Sequence, residues 1–208
     1  GRRGRPWHSP KGSGIWMSIL LRPQIHPMSA SMLTLVAAMA VYDAISSRVE
    51  GCAIKWPNDI VIDGRKVCGI LTEMSSELDN IHYVVIGIGI NVNTDDFPED
   101  IASVAASMHV ITGAYYKRAE IIADTWEAFE KYYDLFVQTE NLALMVDAYN
   151  QRLVNMDRRV MIEERGHRYE GTARGIDAEG ALLVERDDGT TTSVISGEVS
   201  VRGVLGYV

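Results

Sequence analysis

The run His82–Asn91 (HYVVIGIGIN) constrains this chain more than any other segment of comparable length. From His82 to Ile90 it is nearly continuously apolar, with Val84 and Val85 side by side, as expected of a strand buried on both faces. Gly87 and Gly89 stand at alternate positions. Successive side chains point to opposite faces of a strand, so these two glycines clear the same face. A bare patch of that kind either takes a closely packed neighbour or lies against a ligand, with the Asn91 amide at its end. The pair lacks the spacing of a dinucleotide-binding fingerprint.

Other segments supply the partners such a strand needs. Ile15 to Arg22 alternates, with Ile15, Met17, Ile19 and Leu21 on one face, and predicts a strand. From Ser29 or Ser31, apolar residues recur at Met32, Leu35, Val36, Met39, Tyr42, Ile45 and Val49, which is helical spacing closed by Gly51. Short strands are expected over Ala53–Trp56, Ile60–Ile62 and Val67–Thr72, with Asp63-Gly64 as a hairpin turn. Residues 118–137 read as an amphipathic helix and Ala143–Leu153 as another. After Asn155 the pattern changes to short β runs (Arg159–Glu163, Tyr169–Ile176, Ala181–Glu185, Thr190–Ile195) separated by Gly166, Gly180 and Gly189, the texture of a small all-β barrel. The expected division is therefore 1–154 and 155–208.

Composition narrows the function classes. A formal net charge of -8 argues against a broad nucleic-acid surface. No apolar run is expected to span the roughly 20 residues a bilayer requires. Cys52 and Cys68 lack metal-ligand spacing and suit a reducing cytoplasm, and the five histidines are scattered without partners.

Three segments have chemistry in them. Gly1-Arg2-Arg3-Gly4-Arg5-Pro6-Trp7 combines close backbone approach, planar cationic forks and a flat ring, which suits a phosphate or carboxylate ligand; a disordered basic terminus or an RNA-contacting arm has the same composition. Lys55-Trp56-Pro57-Asn58-Asp59 places a lysine at a strand end, where it can steady charge developing on a phosphoryl or acyl group or can be a surface residue beside an ordinary turn. The third is the glycine strand itself.

Taken together and in this order, the segments resemble the biotin–protein ligase family. The resemblance rests on the arginine–glycine loop ending Trp7-His8-Ser9-Pro10, Leu21-Arg22-Pro23, Lys55-Trp56-Pro57-Asn58-Asp59, Gly69-Ile70-Leu71 with Glu73, and Gly87-Ile88-Gly89-Ile90-Asn91. Gly171, Gly175-Ile176-Asp177, Gly180-Ala181-Leu182 and Gly197-Glu198-Val199 resemble the family's small C-terminal domain.

The resemblance implies an α/β fold of the α+β type: a mixed, largely antiparallel sheet with helices, like the class II synthetases, followed by an SH3-like β-barrel. It implies activation of biotin by MgATP to biotinyl-5′-AMP and transfer to a lysine of a biotin carboxyl carrier protein. By position, Lys55 and Arg2 are the catalytic residues; Gly1, Arg2, Lys55, Gly87 and Gly89 bind biotin; and Arg5, Trp7, Asn91 and Arg202 meet ATP or the adenylate. Mg2+ is carried on the ATP phosphates, with no protein metal site. Pairing into a homodimer through sheet edges is left open. A lipoate–protein ligase shares the fold and the adenylation logic, and a non-catalytic biotin sensor or transcription regulator is the reading from another class. The family pattern also carries a further Gly-Arg and a glutamine ahead of Gly1, and a Ser/Thr-Thr-Asn segment for biotin's ureido ring, so a longer natural product is expected.

Overall fold

The computed structural model describes residues 7–164, 167–195 and 199–203. It contains two antiparallel sheets. The first has the order β1-β5-β4-β3-β2, from β1 (Ile15–Leu21), β5 (Asn80–Ile90), β4 (Arg65–Glu77), β3 (Asp59–Ile62) and β2 (Cys52–Lys55). The second has the order β10-β6-β7-β8-β9, from β10 (Val199–Gly203), β6 (Arg159–Glu164), β7 (His167–Ile176), β8 (Leu182–Glu185) and β9 (Thr191–Val194). The all-β texture after Asn155 thus becomes the second sheet.

Local chemistry fixes the joints. Asp63 and Gly64 both adopt positive φ (49° and 76°), the pairing that a two-residue hairpin turn requires, and they connect β3 to β4 as the sequence predicts. The helix expected from Ser29 or Ser31 starts as a 3-10 turn over Pro27–Met32 and becomes α1 only at Leu33–Ser46. Two short elements escaped the sequence reading: α2 (Met108–Thr112), capped by the Ser107 hydroxyl, and β10. Helix α3 (Arg118–Thr139) ends at Glu140 in a left-handed cap, and α4 (Val146–Arg152) leads back toward β2.

The core lies between the first sheet and α1. Ile15, Ile70, Ile86, Ile88 and Ile90 turn one face of the sheet toward α1, which is buried nearly all round. Helix α3 covers the other side of α1 with Ile121, Phe129 and Phe136. One expectation is corrected here: Pro27–Ser46 is 20 residues long and holds an 18-residue window of mean hydropathy 1.6, enough by length and composition to cross a bilayer, yet 67% of that window is buried inside the fold. Its hydrophobicity serves a helix with sheet on one side and helix on the other.

Trp56 joins the two sheets. It is 1% exposed, its backbone N–H donates to Asn155 Oδ1 (3.1 Å), and its indole N–H donates to Gly180 O (3.0 Å) in the turn between β7 and β8. The Trp56–Pro57 peptide is cis.

Both cysteines are free thiols, Cys68 buried in this core and Cys52 half-buried against it. Burial pushes the Cys52 thiol up to about 12, with Asp43 adding to it. Burial raises Cys68 further, with Asp59 reinforcing the effect. The thiolate is the nucleophile, and a raised pKa keeps each sulfur protonated until far above neutral pH. Iodoacetamide at pH 8 is therefore expected to label neither residue in the native protein and both in denaturant; rapid native labelling of Cys68 would contradict this placement.

Candidate active site

The face of the first sheet turned away from α1 is built around a row of directly opposed residues. Lys55 faces Asp59, Asp59 faces Gly69, Gly69 faces Gly89 and Gly89 faces Trp16. Opposed residues in antiparallel strands project to the same side, so the row shares one surface. The next row on that surface is Leu71, Gly87 and Ser18.

The glycines of the two rows serve different purposes. A Cβ on Gly69 would come within 2.8 Å of the Trp7 ring, and one on Gly89 within 3.0 Å, so only glycine lets the indole rest there. Trp7 also meets Trp16 edge-on, with centroids 6.2 Å apart. A Cβ on Gly87 would meet only Leu71 O and Ser18 Oγ at 3.7 and 3.8 Å, which leaves open floor beside the indole. The two glycines therefore differ: Gly89 packs against a neighbour, whereas Gly87 borders free space.

The lysine beside Trp7 is Lys66, which sequence reasoning did not single out. Its ammonium lies 5.3 Å from the Trp7 ring centroid and 2.6 Å from Asp59 Oδ1. A β-bulge puts it there. Cys68 pairs with Ile60, but the next pair is Lys66 with Val61, so Val67 is the extra residue. Strict alternation would send Lys66 to the same side as Cys68, into the core. The extra residue reverses that and delivers the ammonium to the glycine surface beside Asp59. Lys55, 4% exposed at the end of β2, faces the other side of Asp59 along the row.

Asn91 closes the far end of β5. It is 3% exposed; its backbone N–H donates to Val67 O (2.8 Å) and its Nδ2 to Ala106 O (3.1 Å). Its Oδ1 is buried without a hydrogen-bond partner among the described residues. An acceptor left so costs about 1–3 kcal/mol, which a bound donor or cation would recover. The Trp7 indole N–H is in the same state. Among the described residues no three His, Cys, Asp or Glu side chains converge on a metal position.

A cleft of about 240 Å³, lined by Thr34, Pro57, Asn58, Leu71, Thr72 and Met74, shares Leu71 with the glycine surface. Of the residues expected at the site, Lys55, Trp7, Gly87, Gly89 and Asn91 share the first sheet's surface or its end. Arg202 lies in β10 opposite Met161. Gly1, Arg2 and Arg5 fall outside the described residues.

This architecture has known relatives. Residues 1–91 match the biotin/lipoate A/B protein ligase family, and residues 156–202 match the biotin protein ligase C-terminal domain. The bifunctional ligase/repressor BirA of Bacillus subtilis is 42% identical over 195 residues, which is 91% of this chain and 59% of the relative. The biotin–[acetyl-CoA-carboxylase] ligase of Paracoccus denitrificans is 32% identical over 190 residues, 88% of this chain and 78% of the relative. The chain thus spans about 59% of the length of its Bacillus relatives. Among solved structures, the biotin protein ligase of Aquifex aeolicus in complex with biotin and ATP superimposes with a TM-score of 0.85 at 27% identity, covering 98% of this chain and 84% of that one. By sequence over most of its length and by fold, this chain belongs to the biotin–protein ligase family.

Proposed function

We propose that this chain carries the biotin- and nucleotide-handling portion of a biotin–protein ligase, which forms biotinyl-5′-AMP from biotin and MgATP and then biotinylates a lysine of a biotin carboxyl carrier protein. The observation that carries this reading is the Lys66–Asp59 pair beside an indole laid on a glycine floor.

In the first step a biotin carboxylate oxygen bonds to the α-phosphorus of ATP and pyrophosphate departs. Two anions must meet, so fixed cations in a partly dehydrated site do most of the work. Lys66 stands on the open surface and is suited to bridge carboxylate and α-phosphate, with Asp59 holding its ammonium in place. Lys55, at the other end of the same charged group, belongs to this cation set. We assign Gly87 to the floor under biotin, Trp7 to the adenylate, Asn91 Oδ1 to the nucleotide end, and Gly1, Arg2, Arg5 and Arg202 to the carboxylate and phosphates. Mg2+ carried on the ATP phosphates would supply charge neutralisation there, and Asn91 Oδ1 is the protein oxygen that would meet it. In the second step the neutral amine of the carrier lysine attacks the acyl carbon, AMP leaves, and the amine loses a proton.

Residues 1–154 are assigned to the biotin- and ATP-binding catalytic unit and 155–208 to an SH3-like C-terminal unit, which contributes Arg202. The two free thiols fit a reducing cytoplasm. The first sheet ends in β1 and β2; the outer edge of β2 is taken by Leu153 and by the Val154 N–H on Ile54 O, so β1 is the edge we assign to pairing of two copies into a homodimer.

The test is transfer of labelled biotin to an apo carrier domain with MgATP, run on this chain and on an upstream-extended protein, with lipoate as competitor. Transfer that lipoate does not suppress, and that Lys55→Ala weakens while the variant stays folded, is expected. A lipoate preference, or no adenylate from either protein, would overturn the reading.

A further inference from the structure

The segment between β5 and α2 holds several parts of the surface at once. Lys66 is gripped on both backbone groups: its N–H donates to Val104 O (2.8 Å), and its carbonyl accepts from Ala106 N–H (2.9 Å). Ala106 O also accepts from Asn91 Nδ2, and Asn91 O accepts from Met108 N–H (3.0 Å). Between these two grips stands Ser107, fully buried. Its hydroxyl donates to Thr94 O (2.6 Å) and accepts from Val110 N–H (3.0 Å).

Thr94 carries the connection onward. It is 3% exposed, and its Oγ1 lies 3.1 Å from Ser13 Oγ. Ser13 Oγ in turn donates to Pro10 O (3.2 Å). A serine hydroxyl has one proton, so with that proton on Pro10, Thr94 must be the donor to Ser13. A second tie runs beside it, from Asn93 N–H to Ser13 O (2.8 Å). Pro10 and Ser13 are the near end of the loop that lays Trp7 on Gly69 and Gly89.

We propose that Thr94 and Ser107 are positioning residues, a buried hydroxyl latch that holds the base of the Trp7 loop, the Lys66 backbone and Asn91 in one fixed frame. This rests on the ligase reading above, because only that reading gives Lys66, Asn91 and Trp7 a shared task. The latch touches none of the reacting groups. It sets the distance between the loop and the strand ends, so its loss should loosen retention of the adenylate more than it weakens the fold.

Two variants separate these effects. Thr94→Val keeps the shape and removes the donor; Thr94→Ser keeps the donor. Hydrogen exchange over His8–Ser13 is expected to be roughly 2- to 12-fold faster in Thr94→Val, as loss of one net hydrogen bond implies. Biotinyl-5′-AMP should dissociate faster by a similar factor, with the melting temperature close to that of Thr94→Ser, and Thr94→Ser should behave as the parent in exchange and retention. Unchanged exchange in Thr94→Val, or a Thr94→Ser variant as fast as Thr94→Val, would overturn the latch. A parent protein that makes no adenylate overturns the ligase reading instead, and the exchange comparison then upholds or overturns the latch alone.

Discussion

Lys66→Ala is expected to slow biotinyl-5′-AMP formation by about 10²- to 10³-fold, the usual penalty for removing one preorganised charge aimed at a developing anion. The loss should appear in kcat for the adenylation half-reaction. Transfer from added biotinyl-5′-AMP should suffer less, because the anhydride is already made. Lys66→Arg should recover only part of the rate: a planar fork cannot replace a compact ammonium seated 2.6 Å from Asp59. Because the two side chains are only 23% and 13% exposed, losing the ammonium beside Asp59 also costs some stability, so the rates are compared at a temperature where the variant is shown to be folded. Quench-flow measurement of pyrophosphate release decides the matter. If Lys66→Ala retained near-parental rates while Lys55→Ala lost them, the reacting cation would be Lys55, and Lys66 would serve Trp7 alone.

Trp56→Ala is expected to destabilise the protein by about 3–5 kcal/mol, the range for deleting a large aromatic from a packed core. For a chain of this size that corresponds to a fall in melting temperature on the order of 10 °C. The side chain is 1% exposed and its indole satisfies Gly180 O, so the variant leaves both a void and a buried carbonyl without its donor. Trp56→Phe separates the two losses, retaining most of the volume and losing only the hydrogen bond. Denaturant titration should place Trp56→Phe between parent and Trp56→Ala. Equal midpoints for parent and Trp56→Ala would mean that Trp56 does not hold the second sheet to the first.

Much of this was legible in the chain because it follows from periodicity. The Ile15 strand, the Asp63-Gly64 turn, the helix expected over 118–137 and found at Arg118–Thr139, and the change of texture after Asn155 are local patterns, and local physics decided them. Where the reading fell short, a non-local effect had intervened. The stretch Pro27–Met32 has helical spacing but opens as a 3-10 turn. Ser107 and Thr94 are small polar residues that become informative only when Ser13, far away in sequence, is brought against them. Asp59, taken as part of a turn after Pro57, begins β3 and pairs with Lys66. Lys66 itself was hidden for a sharper reason. Alternation along β4 assigns it to the buried side with Cys68 and Ile70, and nothing in the residue letters announces that Val67 breaks the count.

That broken count makes the charge at the surface a matter of arithmetic as well as of identity. Excising Val67 would remove the bulge and leave Lys66 opposite Val61 on the same surface, whereas pairing the strand evenly with Val67 retained would turn the unmutated Lys66 toward the isoleucines beneath the sheet. An engineer copying this strand pair onto an ideal, evenly paired hairpin could therefore reproduce every functional side chain and still build a surface without its ammonium. For the same reason, a relative with one residue fewer between its counterparts of Lys66 and Gly69 should lack the bulge and still present the lysine on the outer face, while one of equal length that pairs evenly there should bury it.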